Sequence, residues 1–307
     1  MSDDNHYPTR CIRVLKGHTG NVNCIRYTHD GKYCMSAGQD RSVCLWNPNR
    51  DDVKDGFLIN RYKGPHSYGV NEIAIASDNS EFASCGEERE VLVWDVSTSH
   101  VKRRLYGHNQ RINTVAYNEE STLVVSGSYD ATVKIYDLKS HNNAAIQTLS
   151  EGKDSISQVI FTKNAIISSS IDGHIRTYDI RAGQLRDDVL SVPITHLSLS
   201  FDEKCLYAST LNNQSILIER EMGTILNRYK DHKSTNYKVE GYINNTDDYI
   251  YSGSEDGQII IYDLVDAKPI HTLTYHNNAV TSLSIHPKRE STQLLAASLD
   301  STISVWE

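Results

Sequence analysis

The chain has 307 residues, 38% of them hydrophobic, which is enough to bury a large core in one domain or two. A formal net charge of −8 and a pI of about 5.9 exclude a broad surface of clustered Lys and Arg, so no direct nucleic-acid contact is expected. No run of about 18 apolar residues occurs, and no membrane association is expected.

In chain order, the N-terminal MSDDNHYPTRC is polar and acidic and lacks the apolar stretch of a secretory signal. Cys11–Leu15 then reads as a strand that belongs to no later unit. The first unit ends in SAGQDRSVCLWN, with Trp46 six residues after Asp40. An acidic stretch, PNRDDVKDGF, follows; with Asp51, Asp52 and Asp55 it is a candidate dock for a basic partner. The phrase returns with Trp94, then as SGSYDATVKIYD ending at Tyr136, then with Tyr178. A degraded copy, STLNNQSILIER, puts Glu219 in the aromatic slot. SGSEDGQIIIYD restores it with Tyr262, and the last copy ends on Trp306. The slots are separated by 48, 42, 42, 41, 43 and 44 residues, a mean of about 43. Short apolar runs such as QIIIYDL alternate with turn clusters such as THDGK and NNTDD, and no helical periodicity exceeds three turns. There is no linker or composition shift between copies, so one all-β domain spanning 1–307 is expected. Six cysteines (Cys11, Cys24, Cys34, Cys44, Cys85, Cys205) form no C-x-x-C pair and read as buried free thiols. The expected location is the cytoplasm, the nucleus or both.

Units of 40–45 residues with Gly-His early and Trp-Asp late resemble the WD-repeat family. The resemblance implies a seven-bladed β-propeller of four-stranded blades. The last copy stops at the end of its third strand, so Cys11–Leu15 is expected to supply the missing outer strand of blade seven. The resemblance also implies a hydrogen-bonded chain in each blade, running from Trp through Ser to His and Asp. Blade one has the full set, His18, Ser36, Asp40 and Trp46. Blade two has His66, Ser84, Glu88 and Trp94. Blade three has His108, Ser126, Asp130 and Tyr136. Blade four keeps Ser168, Asp172 and Tyr178 but has no His. Blade five keeps Ser209, with Asn213 and Glu219 in the other slots. Blade six has His232, Ser252, Asp256 and Tyr262. Blade seven has His276, Asp300 and Trp306, with Ala296 in place of Ser. A Tyr hydroxyl does not reproduce the indole geometry, so only blade one is expected to carry the complete network. Blades four and five, lacking the His, are expected to exchange amide hydrogens faster than blades one and three.

Ser36, His18 and Asp40 have the residue types of a hydrolytic triad, but the set recurs around the chain whereas an active site is usually single. No phosphate-binding loop, zinc-protease or nucleophile-elbow motif is present. The expectation is a non-enzyme with no cofactor and no metal.

LWNPNR, SIDGHIRTYDIRAGQL followed by VPIT, and YKDHKSTNYKVE are similar to the mitogen-activated protein kinase organizers, small seven-bladed scaffolds. That resemblance implies kinase-cascade or splicing components as partners of a monomeric propeller within larger complexes. Propellers of this class present partners with the rim that holds the loops before strand one and the turns between strands two and three. The residues before each tetrad acid are Gln39, Glu87, Tyr129, Ile171, Asn212, Glu255 and Leu299. Of these, Tyr129, Ile171 and Leu299 are candidate anchors, with Arg41, Arg89 and Arg111 beside them. Asp179 and Arg181 of YDIR resemble the W-D-x-R element of cullin-ligase substrate receptors, which gives an alternative function.

Overall fold

The computed structural model describes residues 6–50 and 57–307, so Asp51, Asp52 and Asp55 lie outside the described residues. Twenty-eight strands and no helix are found among them, arranged as seven four-stranded antiparallel sheets. These are the blades of a seven-bladed β-propeller. β1 (Cys11–Lys16) precedes blade one, which holds β2 (Val22–Tyr27), β3 (Cys34–Gly38), β4 (Val43–Trp46) and β5 (Leu58–Tyr62). Blade two holds β6 (Val70–Ile75), β7 (Glu81–Gly86), β8 (Glu90–Asp95) and β9 (Val101–Tyr106). Blade three holds β10 (Ile112–Tyr117), β11 (Leu123–Ser128), β12 (Val133–Asp137) and β13 (Gln147–Leu149). Blade four holds β14 (Ile156–Phe161), β15 (Ala165–Ser170), β16 (His174–Asp179) and β17 (Leu185–Val189). Blade five holds β18 (Ile194–Leu199), β19 (Cys205–Thr210), β20 (Ser215–Glu219) and β21 (Ile225–Tyr229). Blade six holds β22 (Gly241–Ile243), β23 (Tyr249–Gly253), β24 (Gln258–Asp263) and β25 (Pro269–Thr274). Blade seven holds β26 (Val280–Ile285), β27 (Leu294–Ser298) and β28 (Thr302–Trp306).

The strand sequences follow from what covers each strand. Second strands are buried throughout or at all but their first residue, as in AIISSS of β15 and EFASCG of β7, because neighbouring sheets lie on both faces. Their small hydroxylic residues fit where two sheets approach closely. Outer strands are covered on one face and alternate, as in VKRRLY of β9 and LRDDV of β17. The core therefore sits between blades. Val91, Val93 and Leu105 of blade two pack with Ile112, Val115 and Tyr136 of blade three. Ile259, Ile261 and Leu273 of blade six pack with Leu283, Leu294 and Trp306 of blade seven.

The contacts gather into two compact units. One contains Ala37–Val43 and Tyr62–Leu197, and so blades two to four. The other contains Cys44–Arg61 and Ser198–Glu307 with the chain up to Ser36. Within the latter, β1 pairs antiparallel with β28, placing Leu15 opposite Ile303 and Val14 opposite Ser304. Blade seven gains its fourth strand as expected from the sequence, and Leu15 enters a core with Val22, Trp46 and Val305.

The same unit contains a buried ion pair that the sequence did not single out. Arg26 on β2 makes a bidentate contact with Glu240, Nη1 to Oε2 at 2.8 Å and Nη2 to Oε1 at 2.9 Å. Glu240 is 1% exposed and also accepts from the Ser282 hydroxyl at 2.7 Å. One carboxylate thus joins the first strands of blades one and seven to the residue ahead of β22.

Candidate interaction rim and the networks beneath it

Blade two shows how the polar chain works. The Trp94 indole N–H donates to Ser84 Oγ at 2.8 Å, and Ser84 lies 2.7 Å from His66 Nε2. His66 Nδ1 is 3.1 Å from Glu88. Indole can only donate and carboxylate can only accept. The serine hydroxyl therefore donates to Nε2, and Nδ1 carries the proton. Burial opposes the Glu88 charge, but the bonds from His66 and the Tyr68 N–H outweigh it and hold the carboxyl below its ordinary pKa. In blade one His18 and Trp46 converge on Ser36, each at 2.7 Å. In blade three His108 meets Ser126 at 2.7 Å and Asp130 at 3.0 Å, while the Tyr136 hydroxyl is buried without a hydrogen-bond partner.

The structure corrects the expectation that blade one alone is complete. Blade two closes its network with Glu in place of Asp. Blade seven closes its own with a residue from another strand. His276 lies 2.9 Å from Asp300 and 2.8 Å from Ser304 Oγ, and the Trp306 indole donates to that same oxygen at 2.7 Å. Ser304 on β28 is the direct cross-strand partner of Ala296. We expect Ser304→Ala to cost about 1–3 kcal/mol, because it strands a buried indole N–H and a buried imidazole nitrogen. The denaturant midpoint of the variant measures this, and an unmoved midpoint would exclude the role.

Blade four uses the same cross-strand position. Arg176 stands opposite Ser168, is 2% exposed, and donates to Asp172 through Nη2 at 2.8 Å. A guanidinium therefore replaces the missing imidazole as partner of the acid. Burial raises the Asp172 pKa, but Arg176 reverses the direction and keeps it below its usual value. The Tyr178 hydroxyl turns outward to Glu151 at 3.2 Å.

Blade five is offset by one residue from the sequence reading. The Thr210 N–H bonds to Gln214 O as the Ser128 N–H bonds to Thr132 O, which makes Thr210 the counterpart of Ser128. The left-handed residue after the acid is Asn213 (φ 58°), matching Ala131 (63°) and Ser301 (68°). The tetrad slots are therefore Ala208, Asn212 and Ile218, not Ser209, Asn213 and Glu219. Ala208 and Ile218 are fully buried. An apolar pair has replaced the network, which is close to neutral when both polar partners go together. Apolar groups thus fill the network positions of blade five, and Arg176 partners the acid of blade four, where the Ser168 hydroxyl stays buried without a hydrogen-bond partner among the described residues.

Blade six also departs from expectation. His232 lies 3.0 Å from Ser215 of blade five and 3.2 Å from the Tyr262 hydroxyl, not against Ser252 or Asp256. Ser252 donates to the Gly253 carbonyl instead, and Asp256 is exposed. The cause is the preceding loop. From His to the residue opposite the strand-two serine, His232 to Gly241 is two residues longer than His108 to Val115. Burial lowers the His232 pKa to about 4, only partly countered by Asp256. The unfolded imidazole, near 6.5, then binds more protons than the folded one across this window. Its contribution is intact above about pH 6.5 and declines towards pH 4, by about 2–3 kcal/mol at pH 4.5. We expect His232→Gln to flatten that part of the stability profile. Equal slopes for the two proteins between pH 7 and 4.5 would refute it.

Above the networks of blades two to four lies the rim. The Tyr129 N–H bonds to Arg111 O at 3.0 Å, and the Arg111 guanidinium lies 4.6 Å from the centre of the Tyr129 ring. Tyr129 is 47% exposed. Ile171 and Leu299 hold the same backbone position but are only half-buried rather than exposed, so they do not match Tyr129 as anchors. Tyr68, which the sequence reading passed over, is 58% exposed in the loop after His66. Its N–H is held by Glu88 at 2.8 Å. A Cβ on the adjacent Gly69 would lie 2.3 Å from Gln39 Oε1, so the blade-one turn packs directly against this loop. Arg41, Arg89 and Arg111 are exposed, and none makes an ion pair among the described residues. Asp179 caps its own turn by accepting from the Arg181 and Ala182 N–H groups at 2.8 and 2.7 Å, while Arg181 is exposed on the turn between β16 and β17. Ser36, Ser84 and Ser126 are fully buried beneath the rim, out of reach of a substrate.

The family model described as "WD domain, G-beta repeat" matches residues 9–47, 56–95, 99–137, 223–263 and 267–307, well over half of the chain. The chain belongs to the WD-repeat family. Propellers of this family are in general non-enzymatic platforms for protein interaction. The two altered blades, four and five, lie between the matched segments. Among similar WD-repeat proteins is WD repeat domain-containing protein 83 homolog of Dictyostelium discoideum, 34% identical over 97% of this chain and 98% of its own. WD repeat domain-containing protein 83 of Rattus norvegicus is 36% identical over 91% of this chain and 87% of its own. The human protein of that name is 34% identical over the same shares.

Proposed function

We propose that the protein is a non-enzymatic scaffold that holds components of a mitogen-activated protein kinase cascade, a pre-mRNA splicing complex or both, in the cytoplasm, the nucleus or both. The observation that carries the scaffold reading is the Arg111–Tyr129 pair. It is an exposed aromatic with a stacked guanidinium, set above polar groups committed to internal bonds. Aromatic and Arg side chains of this kind dominate binding energy at protein interfaces. The choice of kinase or splicing partners rests on the resemblance of LWNPNR after blade one, and of the quoted segments of blades four to six, to the kinase organizers. A proteomic pull-down from the native cell, comparing wild type with folded Tyr129→Ala/Arg111→Glu, tests both parts. Loss of kinase-cascade or splicing proteins in the variant supports the proposal. Identical partner sets would remove the rim from it, and partners of neither kind would remove the assignment.

A further inference from the structure

On the rim of blades one to three the exposed charged side chains are mainly cationic. Arg41, Arg89 and Arg111 lie on the turns or loops of three successive blades, and exposed Lys153 follows on blade four. The carboxylates of Glu88, Asp130 and Asp172 keep their negative charge but are only 18%, 8% and 9% exposed, turned inward to His66, His108 and Arg176 respectively. Glu87, Glu151 and Asp154 remain as exposed acids on this stretch. The three arginines sit on three separate blades. Contiguous packing runs from the Gln39 turn through Gly69 and Tyr68 to the Glu88 turn. It continues through the Asn71 amide, which donates to Ile112 O at 2.9 Å beside Arg111. Two exposed tyrosines, Tyr68 and Tyr129, interleave with the charges.

Resting on the rim reading above, we propose that this strip binds an extended, Asp- and Glu-rich peptide segment of a partner protein, with apolar side chains between its acids. Separate arginines on successive blades suit carboxylates distributed along a strand; a single phosphate would need donors converging on one place. The Arg111 guanidinium is already held over Tyr129, so little side-chain entropy is lost when it binds a carboxylate. Tyr68 and Tyr129 then receive the apolar residues.

The test is fluorescence anisotropy with the full chain and a labelled synthetic peptide that intersperses Asp with Phe and Leu. Two further peptides carry Asn for every Asp, or a single phosphoserine in a neutral sequence. The expected result is binding of the Asp peptide alone, weakened by added salt. Arg89→Glu and Arg111→Glu should each weaken it about tenfold or more without changing thermal stability. Arg181→Glu, on the turn between β16 and β17, should leave it unchanged. Equal binding of the Asn peptide, tighter binding of the phosphoserine peptide, or equal loss in Arg181→Glu would each overturn the proposal. If the Asp peptide fails to bind while the rim variant still loses partners in the pull-down, the acidic occupant falls and the rim reading stands. Failure of both removes the rim as well.

Discussion

Deleting residues 1–16 will lower the unfolding midpoint by about 10–20 °C and broaden the transition. The deletion removes β1 from β28 and takes Leu15 out of a core with Val22, Trp46 and Val305. A fully buried Leu contributes about 1.5–3 kcal/mol, and the lost strand pairing adds several bonds of about 0.5–1.5 kcal/mol each. At about 2–4 °C per kcal/mol for a chain of this class, the stated shift follows. The bared edge of β28 also presents unpaired backbone groups that template aggregation. Leu15→Ala is the milder version and should cost about 2–5 kcal/mol. Calorimetry decides the matter; a deletion that unfolds cooperatively at the wild-type temperature would refute the strand's role.

Glu240→Ala will be the most damaging single substitution among the charged residues, at about 3–5 kcal/mol. It leaves the Arg26 guanidinium without the carboxylate that meets it through two bonds. It also removes the acceptor of the Ser282 hydroxyl and the Leu283 N–H. The pair itself contributes less than this figure suggests, because two charges had to leave water to form it. The double variant Arg26→Met/Glu240→Leu should therefore recover much of the loss. Urea unfolding of both single variants and the double variant gives the coupling directly. Additive losses would mean that the two side chains act independently.

What could be read in advance depended on what held each blade in register. Aromatic slots at Trp46, Trp94, Tyr136, Tyr178, Tyr262 and Trp306 set the period, and the strand order and the β1 closure followed. In blade five no aromatic fixes the slot. Ser209, Asn213 and Glu219 had the right polarity one residue away from the true positions, and a strand read one place off exchanges its two faces. Arg176 and Ser304 lay outside the expected spacing because they reach their networks across a strand pair. Only the pairing of β15 with β16 and of β27 with β28 brings them there. Blade six failed for a different reason, two additional loop residues that carry His232 to another partner. Tyr68 was legible in principle as a large aromatic in the loop before a first strand, but it lies two residues after the network His66 rather than beside the tetrad acid, where the repeat marks the rim.

The exchange of Ala296 for Ser304 separates the location of a hydroxyl from the column in which it is written. Because the two residues face each other, a chain with serine at both places would keep the network whole while either one drifted. A substitution history could therefore pass the oxygen from β27 to β28 without ever emptying the site. The route is open to reconstruction: Ala296→Ser should be tolerated, and Ser304→Val should then be far less harmful than it is alone. Counts of intact repeats that read each column separately would score this blade as degenerate at every step, although its indole and imidazole never lose their shared partner.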